Sequence, residues 1–559
     1  MANLQSKTLF FTTSPRTPLK MIPEIKMLID NFQGKEWNRK TQIEFAKKLA
    51  EDKDFEGKGS QKNMDFSSRD RINRAPKSLG FVDLKPNISI TDPGRILLSG
   101  KRTEEILLRQ LLKFQLPSPY HKETAKTNGL FKVKPYLEIF RLIYELGTIS
   151  FDELMIFGMQ LTDYREFDNI VEQIKSFRRM RTYFKGSYRN FRGEYLLKEI
   201  EKIYQSDIDE GQIKIRESRD ESLKKFVKTK SSNLRDYADA CFRYLRATGL
   251  VEISQRGRSL SITPEKRADV EYFLNVLDRE PVYVKDEKKY KEYLFDSNLP
   301  KLYSDNTEIL CAEIKETTSD TIDLSDKTID DLKDILEKVR KEQKEKLLNI
   351  QINEIKDYKK YSEVMTTFKD IKSKDLYDIP LMLEWNVWRA MTMIDGGNIK
   401  ANLKFDDKGQ PMSTAPGNMA DIVCDYGEFG VAVEVTMQSG QRQYEMEGEP
   451  VSRHLAKLKQ EQGKDTYCMF IAPTINPSCI AYFYTLHKTN IAFYGGVSII
   501  VPIELNLFIQ MVEQSYQADY VPDPGQIREI FEFSKEQAEK SSDENEWYSG
   551  IKDRILNWL

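Results

Sequence analysis

Asp421 and Glu434 stand thirteen residues apart, and Glu434 lies inside the apolar run Val431-Ala432-Val433-Glu434-Val435. A carboxylate set among β-branched residues loses hydration that only a pairing group or a cation restores. Oxygen donors gathered in this way suit a hard divalent cation, and a cation among carboxylates points to phosphate chemistry. Thr436 follows Glu434 by two residues, so on a strand its side chain faces the same way.

Those side chains need a hairpin to bring them together. Asp421 begins an expected strand over 421–424, and a turn follows near Gly427. Glu434 sits midway along an expected return strand over 431–436. A hairpin of that length carries both acids to one end of a sheet. A third strand is expected at 467–472, a helix at about 381–393 and a basic helix at 451–462. Alternating strand and helix over 376–559 reads as an α/β domain. The pattern Asp…Glu-x-Thr is that of PD-(D/E)xK nucleases with Thr at the usual Lys position, although acids at such spacings also arise by chance.

At 559 residues the chain can bury three or four domain cores. It is 40% hydrophobic and 31% charged, with no run approaching a spanning helix and no secretory start at its N-terminus. Five cysteines without a CxxC pair, and only three histidines, argue against zinc and disulfide frameworks and for a reducing, cytoplasmic setting. The net charge of −2 conceals an asymmetry: residues 1–280 hold 52 Lys+Arg against 40 Asp+Glu, leaving 34 against 48 for the remainder of the totals of 86 and 88. A basic half suits a polyanion and an acidic half suits metal-dependent chemistry, while ordinary drift between domains is the plain alternative.

The basic half contains an apparent repeat. A basic helix through Arg69, Arg71, Asn73 and Arg74 runs into Leu79-Gly80-Phe81-Val82-Asp83 and returns as Ile88-Ser89-Ile90-Thr91. Later, Arg243–Gly249 leads into Leu250-Val251-Glu252-Ile253, turns at Arg256-Gly257-Arg258, and returns as Leu260-Ser261-Ile262-Thr263. Each copy reads helix, Gly stop, hairpin, then a capped helix start at Thr91 or Thr263. This is the shape of a winged helix, whose second helix enters the DNA major groove; two ordinary helix–hairpin units would read the same. Between the copies, Ser150 is placed to cap a helix at Phe151-Asp152-Glu153. A basic aromatic stretch carries Arg178, Arg179 and Arg181, suited to phosphate or guanine contacts or simply to a solvated helix face. Residues 321–375 read as a charged helical connector with one apolar stripe at Leu332, Ile335, Leu336 and Val339.

The expected architecture is therefore multidomain α+β. A mainly helical region of tandem winged-helix-like DNA-recognition domains covers 1–115 and 116–282, a helical linker 283–375, and an α/β PD-(D/E)xK nuclease-like domain 376–559. The DNA contacts expected are Arg69, Arg71, Asn73, Arg74, Arg178, Arg179, Arg181, Arg256 and Arg258.

The chain also resembles the AlwI family of type IIS restriction and nicking endonucleases. The matching segments are Ser14-Pro15-Arg16-Thr17-Pro18, Phe66–Arg71, Glu384-Trp385 with Trp388, Ala415–Asn418 through Glu434-Val435-Thr436, Met446–His454 and Phe470-Ile471-Ala472-Pro473. The family itself has Thr where other nucleases have Lys. The resemblance implies a catalytic set of Glu384, Asp421, Glu434, Glu447 and His454. Asp421, Glu434 and the Val435 carbonyl would hold Mg²⁺, with Mn²⁺ as a substitute. Glu384 would hold a second ion or pack beside Trp385. Glu447 would orient the attacking water or complete that second site, or else be a solvated loop acid; His454 would position water or phosphate or shuttle a proton, and Arg453 would neutralise the scissile phosphate. It further implies double-stranded DNA with a GAGTC-like site and cleavage a few bases outside it, leaving 5′-phosphate and 3′-hydroxyl ends. One centre cuts one strand, so a transient homodimer, a small second subunit or a nicking mode all remain open, beside a cognate DNA methyltransferase. The rival from another class is a non-catalytic winged-helix regulator.

Overall fold

A computed structural model describes residues 2–51, 64–215, 220–254, 258–318, 320–394, 397–406, 408–414, 419–518, 520 and 522–559. Arg256, Gly396 and the segment 415–418 lie outside the described residues. The fold is mixed α+β with helix predominating, and it divides into two compact units at Arg340/Lys341. Among the described residues no helix is long and apolar enough to cross a membrane. All five cysteines are free thiols.

In the first unit, helix Met64–Asn73 passes through a short helix, Ala75–Ser78, into the antiparallel pair Val82–Asp83 and Ser89–Ile90. Gly80 between them has φ +76°, and a Cβ there would lie 2.5 Å from Leu294 Cγ, so conformation and space both demand glycine. Thr91 Oγ1 accepts the Gly94 N–H at 3.2 Å and opens helix Asp92–Ser99. The second copy runs from helix Leu223–Arg246 through Gly249 (φ +68°) into Val251–Ile253 and Ser259–Ile262. Here Thr148–Ser150 adds a third strand against Ser259–Ile262, and the sheet is antiparallel throughout. Ser150 also closes a capping box: its hydroxyl accepts the Glu153 N–H, and Glu153 Oε2 accepts the Ser150 N–H at 2.8 Å. Thr263 departs from expectation, because it makes no side-chain cap. A 3₁₀ turn, Pro264–Lys266, begins that helix through the backbone bond from Lys266 N–H to Thr263 O.

Residues 283–375, expected as a helical linker, fall partly in each unit. Leu332 and Leu336 of its apolar stripe bury against Leu310 and Ile314 of helix Thr307–Thr317 in the first unit. Helix Tyr361–Ser373 packs in the second unit on helix Ile379–Ile394.

The second unit is built on a five-stranded mixed sheet. Its spatial order is Ile500–Glu504, Asp465–Ala472, Phe429–Val435, Ile422–Asp425, Asn398–Ala401. Ile422–Asp425 runs antiparallel to both of its neighbours, and the first three strands are parallel. Parallel neighbours require crossovers, supplied by helices Gln441–Gln462 and Pro477–Lys488. Helix Ile379–Ile394 packs on the sheet and is pinned to the edge strand by the Trp388 indole N–H, which donates to Ile399 O at 3.2 Å. The Gln441–Gln462 helix starts ten residues before the expected Val451 and contains Pro450.

Candidate active site

Register decides which side chains meet. Ile422 pairs with Val433 and Val423 with Ala432, so the next step of the ladder opposes Asp421 to Glu434. Directly opposed residues point to one face, with Cβ atoms about 4.5–5.5 Å apart. The same face carries Lys400, paired to Val423, and Cys468, paired to Ala432. Both acids are felt at that cysteine: burial first, then the charges of Glu434 and Asp421, push the Cys468 thiol well up.

Asp421 stands where the strand ends, and its carboxylate replaces a ladder partner. Val435 N–H donates to Asp421 Oδ2 at 2.8 Å. Asn402 fastens the same segment, donating its N–H to Asp421 O at 2.9 Å and its side-chain amide to Ala420 O at 2.6 Å. Glu434 is 5% exposed, and its Oε1 lies 2.9 Å from Nδ1 of His454, itself 6% exposed. Against an ionised carboxylate Nδ1 carries the proton, which fixes the imidazole's orientation.

Thr436 Oγ1 donates to Glu447 Oε1 at 2.7 Å and accepts the Gln438 N–H at 3.0 Å. Glu447 is therefore a helix residue tied to the strand end, not a loop acid. It lies seven residues before His454, two turns along one face of the Gln441–Gln462 helix. Its charge, after burial, pushes the Cys479 thiol up to about 12. Arg453 pairs with Glu449 at 3.3 Å. Glu384 is 7% exposed on helix Ile379–Ile394, which packs against the Glu434 strand. Its neighbour Arg389 spans Glu363 at 2.6 Å and the Trp385 ring at 4.3 Å.

Among the described residues no group of three or more His, Cys, Asp or Glu side chains is placed to hold a metal ion. The donor set that fits a hard cation is smaller: two opposed carboxylates with a main-chain carbonyl. In an extended residue N–H and C=O project to the same strand edge. Since Val435 N–H reaches Asp421, the Val435 carbonyl faces that side too.

Sequence reasoning passed over Asn402, and also Gln443. The latter is fully buried, donates to Gln438 O and Thr474 O, and accepts the Asn476 N–H, locking the helix start to the strand ends. Neither has a local signal, because each acts through partners distant in sequence.

The expected DNA-contacting residues are spread widely through the first unit. Arg69 is exposed. Arg71 Nη1 donates to Glu24 Oε1 at 2.6 Å, and burial raises that carboxyl against the lowering effect of Arg71. Asn73 Oδ1 accepts the Trp37 indole N–H, and Arg74 bonds Asp70 and Thr13. Arg178 grips Glu153 with two N–H groups at 2.7 and 2.9 Å and reaches Thr148 O. Arg179 is exposed, and Arg181 lies over the rings of Tyr188 and Phe191. Arg258 is half-buried beside the strand it precedes, donating its N–H to Ser254 Oγ.

No curated protein matches the sequence. Among solved structures, the chain is similar to the small subunit, R.BspD6I2, of the heterodimeric restriction endonuclease R.BspD6I. There the identity is 22%, the TM-score 0.29, and the match covers 34% of this chain and 98% of that one. It is also similar to the BpuJ1 endonuclease binding domain in complex with pyrene- and phenanthrene-modified DNA, at 11% identity and TM-score 0.32, covering 50% and 92%. The family model described as AlwI restriction endonuclease matches residues 77–511, well over half of the chain. The chain belongs to the AlwI restriction endonuclease family, and is a type II site-specific deoxyribonuclease.

Proposed function

We propose that this endonuclease acts in the type IIS manner, reading DNA with one unit and cutting with the other. Residues 376–559 form a PD-(D/E)xK-type nuclease domain. Residues 1–115 and 116–282 bind a short asymmetric, GAGTC-like duplex site through winged-helix-like modules, and cleavage falls a few bases outside it. The observation that carries this reading is the pairing of Asp421 with the buried Glu434 across adjacent strands, backed by His454. The strand order around Thr148–Ser150 supports the wing assignment, since a strand joined to the far side of a hairpin is the sheet of a winged helix, although four described α-helices, Phe151–Ile156, Phe167–Tyr183, Tyr188–Asp209 and Leu223–Arg246, lie between that strand and the hairpin.

In the cleavage domain Asp421, Glu434 and the Val435 carbonyl would hold Mg²⁺, with Mn²⁺ able to substitute. When bound, the ion would supply Lewis-acid polarisation of the phosphate and acidify a water. His454 keeps Glu434 oriented through Nδ1, while Thr436 keeps Glu447 at the strand end, where it can accept a proton from the attacking water. Arg453 lies one residue from His454 and neutralises incoming phosphate charge. Glu384 supports the site from the adjoining helix. In the first unit Arg69 and Arg179 contact DNA from exposed positions, and Arg71, Asn73, Arg74 and Arg178 shape the surface around them.

One site cuts one strand, so double-strand cleavage needs a second copy or a small partner subunit, and a protein acting alone nicks. The test is supercoiled plasmid carrying GAGTC sites, incubated with the enzyme and Mg²⁺. Nicked or linear product with sequenced ends at a fixed offset supports the proposal. Intact plasmid across Mg²⁺ and Mn²⁺ titrations, with DNA binding retained, overturns it.

A further inference from the structure

A cleft of about 260 Å³ opens beside the acid pair, between the Gln441–Gln462 helix and the strands bearing Lys400 and Val423. Its walls carry two ammonium groups, Lys400 and Lys457, with the His454 imidazole, the Asn402 amide and one opposing carboxylate, Glu461. Apolar Val423 and Leu458 are among its remaining lining residues. Water occupies about 30 Å³ per molecule in the liquid, so the space admits a tetrahedral oxyanion with several waters. His454 is shared: it lines the cleft and bonds Glu434 at 2.9 Å. Asn402 is shared as well, since its N–H holds Asp421 O. The cleft thus adjoins the acid pair through two residues that position those acids.

Electrostatics gives this placement a purpose. Two carboxylates repel the polyanion they must approach. At 4 Å each unit-charge pair is worth about 1 kcal/mol in water and about 4 kcal/mol at an effective dielectric near 20. Cations on the flank offset that repulsion where the backbone enters.

We propose that this cleft is a phosphate-binding subsite of the cleavage centre, in which Lys400 and Lys457 hold a phosphate oxyanion against His454. This rests on the endonuclease reading for its role in cleavage. The oxyanion is either a backbone phosphodiester beside the scissile one or the 5′-phosphate that cleavage creates.

The first arm of the test needs no cleavage. The full chain has three histidines, and burial holds His121 and His487 each near a pKa of about 4, far from this cleft's chemistry. Histidine-selective ¹³C labelling of the metal-free protein, titrated with inorganic phosphate, reads His454 directly. A saturable shift of one imidazole resonance is expected, weakened at least tenfold in K400Q/K457Q and abolished in K400E. Lys400 is exposed on an edge strand, so K400E tests the site without burdening the fold. No saturable shift, or equal affinity in K400E, overturns the subsite even if cleavage is robust. Phosphate binding without Mg²⁺-dependent cleavage leaves the subsite standing and removes the proposed Mg²⁺ site at Asp421 and Glu434 instead. The second arm assigns the source. A KM raised at least fivefold in K400Q, at unchanged kcat, assigns the neighbouring phosphodiester. Stronger product inhibition by 5′-phosphorylated than by 5′-hydroxyl duplex, lost in K400Q, assigns the terminal phosphate. Neither effect, in a protein that cleaves, overturns the proposal.

Discussion

Replacing Glu434 by Gln isolates charge from shape. The amide oxygen of Gln still accepts from Nδ1 of His454 at the same position, so the 2.9 Å bond and the strand packing survive. Asp421→Asn behaves alike, since Asn Oδ1 still accepts the Val435 N–H that now spans 2.8 Å. Asp421→Ala would not be comparable: it strands that N–H at the strand end, at about 1–3 kcal/mol of stability. What each amide removes is one unit of negative charge facing the cation. Glu434 is 5% exposed, so water screens it poorly. A unit pair at 4 Å and an effective dielectric near 20 is worth about 4 kcal/mol, or about a thousandfold in rate. The assay is single-turnover cleavage of a one-site plasmid, with melting temperature and gel-shift affinity measured alongside. E434Q and D421N should melt within about 2 °C of the parent, bind duplex equally, and cut about 10³-fold more slowly. If either cuts within tenfold of the parent while fold and binding are intact, the acid pair does not hold the cation and the proposed site is wrong.

Thr436→Val should cost about 1–2 kcal/mol, because it frees Gln438 N–H and one oxygen of Glu447 together; Thr436→Ser should restore both, and denaturant midpoints with cleavage rates check it. Arg178→Ala should lower the unfolding free energy by about 2–4 kcal/mol through the buried Glu153 it leaves behind, whereas Arg179→Ala should leave stability alone and reduce the salt slope of DNA binding by about one; a fall in DNA affinity without any loss of stability in Arg178→Ala would contradict the ion pair's structural role. Asp305 is held at about 2, below its ordinary 3.8: burial opposes its charge, but the Arg109 hydrogen bond and charge outweigh that. A depressed carboxyl stabilises fully above its unfolded pKa and loses that contribution as pH falls from about 4 through about 2, a difference of about 2 kcal/mol. Asp305→Asn should therefore weaken the protein at pH 7 and flatten its acid limb between pH 2 and 4, measured by urea unfolding across that range.

How much of this was legible follows from how local each cause is. Asp421 and Glu434 were readable because strand parity is arithmetic: once a hairpin turns near Gly427, residues summing to 855 face one another, and Ile422 with Val433 obeys that sum. The Ser150 cap was readable because hydroxyl, acceptor and donor lie within four residues. Pro450 misled the boundary of the Gln441–Gln462 helix, since proline disfavours a helix interior, yet the buried Gln443 anchors the earlier turns through Gln438, Thr474 and Asn476. The strand Ile500–Glu504 escaped notice for a related reason. Pro502 argues against a central strand but is tolerated here, because this strand pairs on one side only, with Asp465–Ala472. Arginine roles were the least legible. Basic spacing marks a helix face but cannot say whether a guanidinium meets solvent or a carboxylate, and the deciding partners lie far off: Glu24 is 47 residues from Arg71, and Glu153 is 25 from Arg178. A charge pattern therefore locates a nucleic-acid surface only to the resolution of an element. It takes tertiary pairing to divide its arginines into those that hold the scaffold and those left to meet the phosphate backbone.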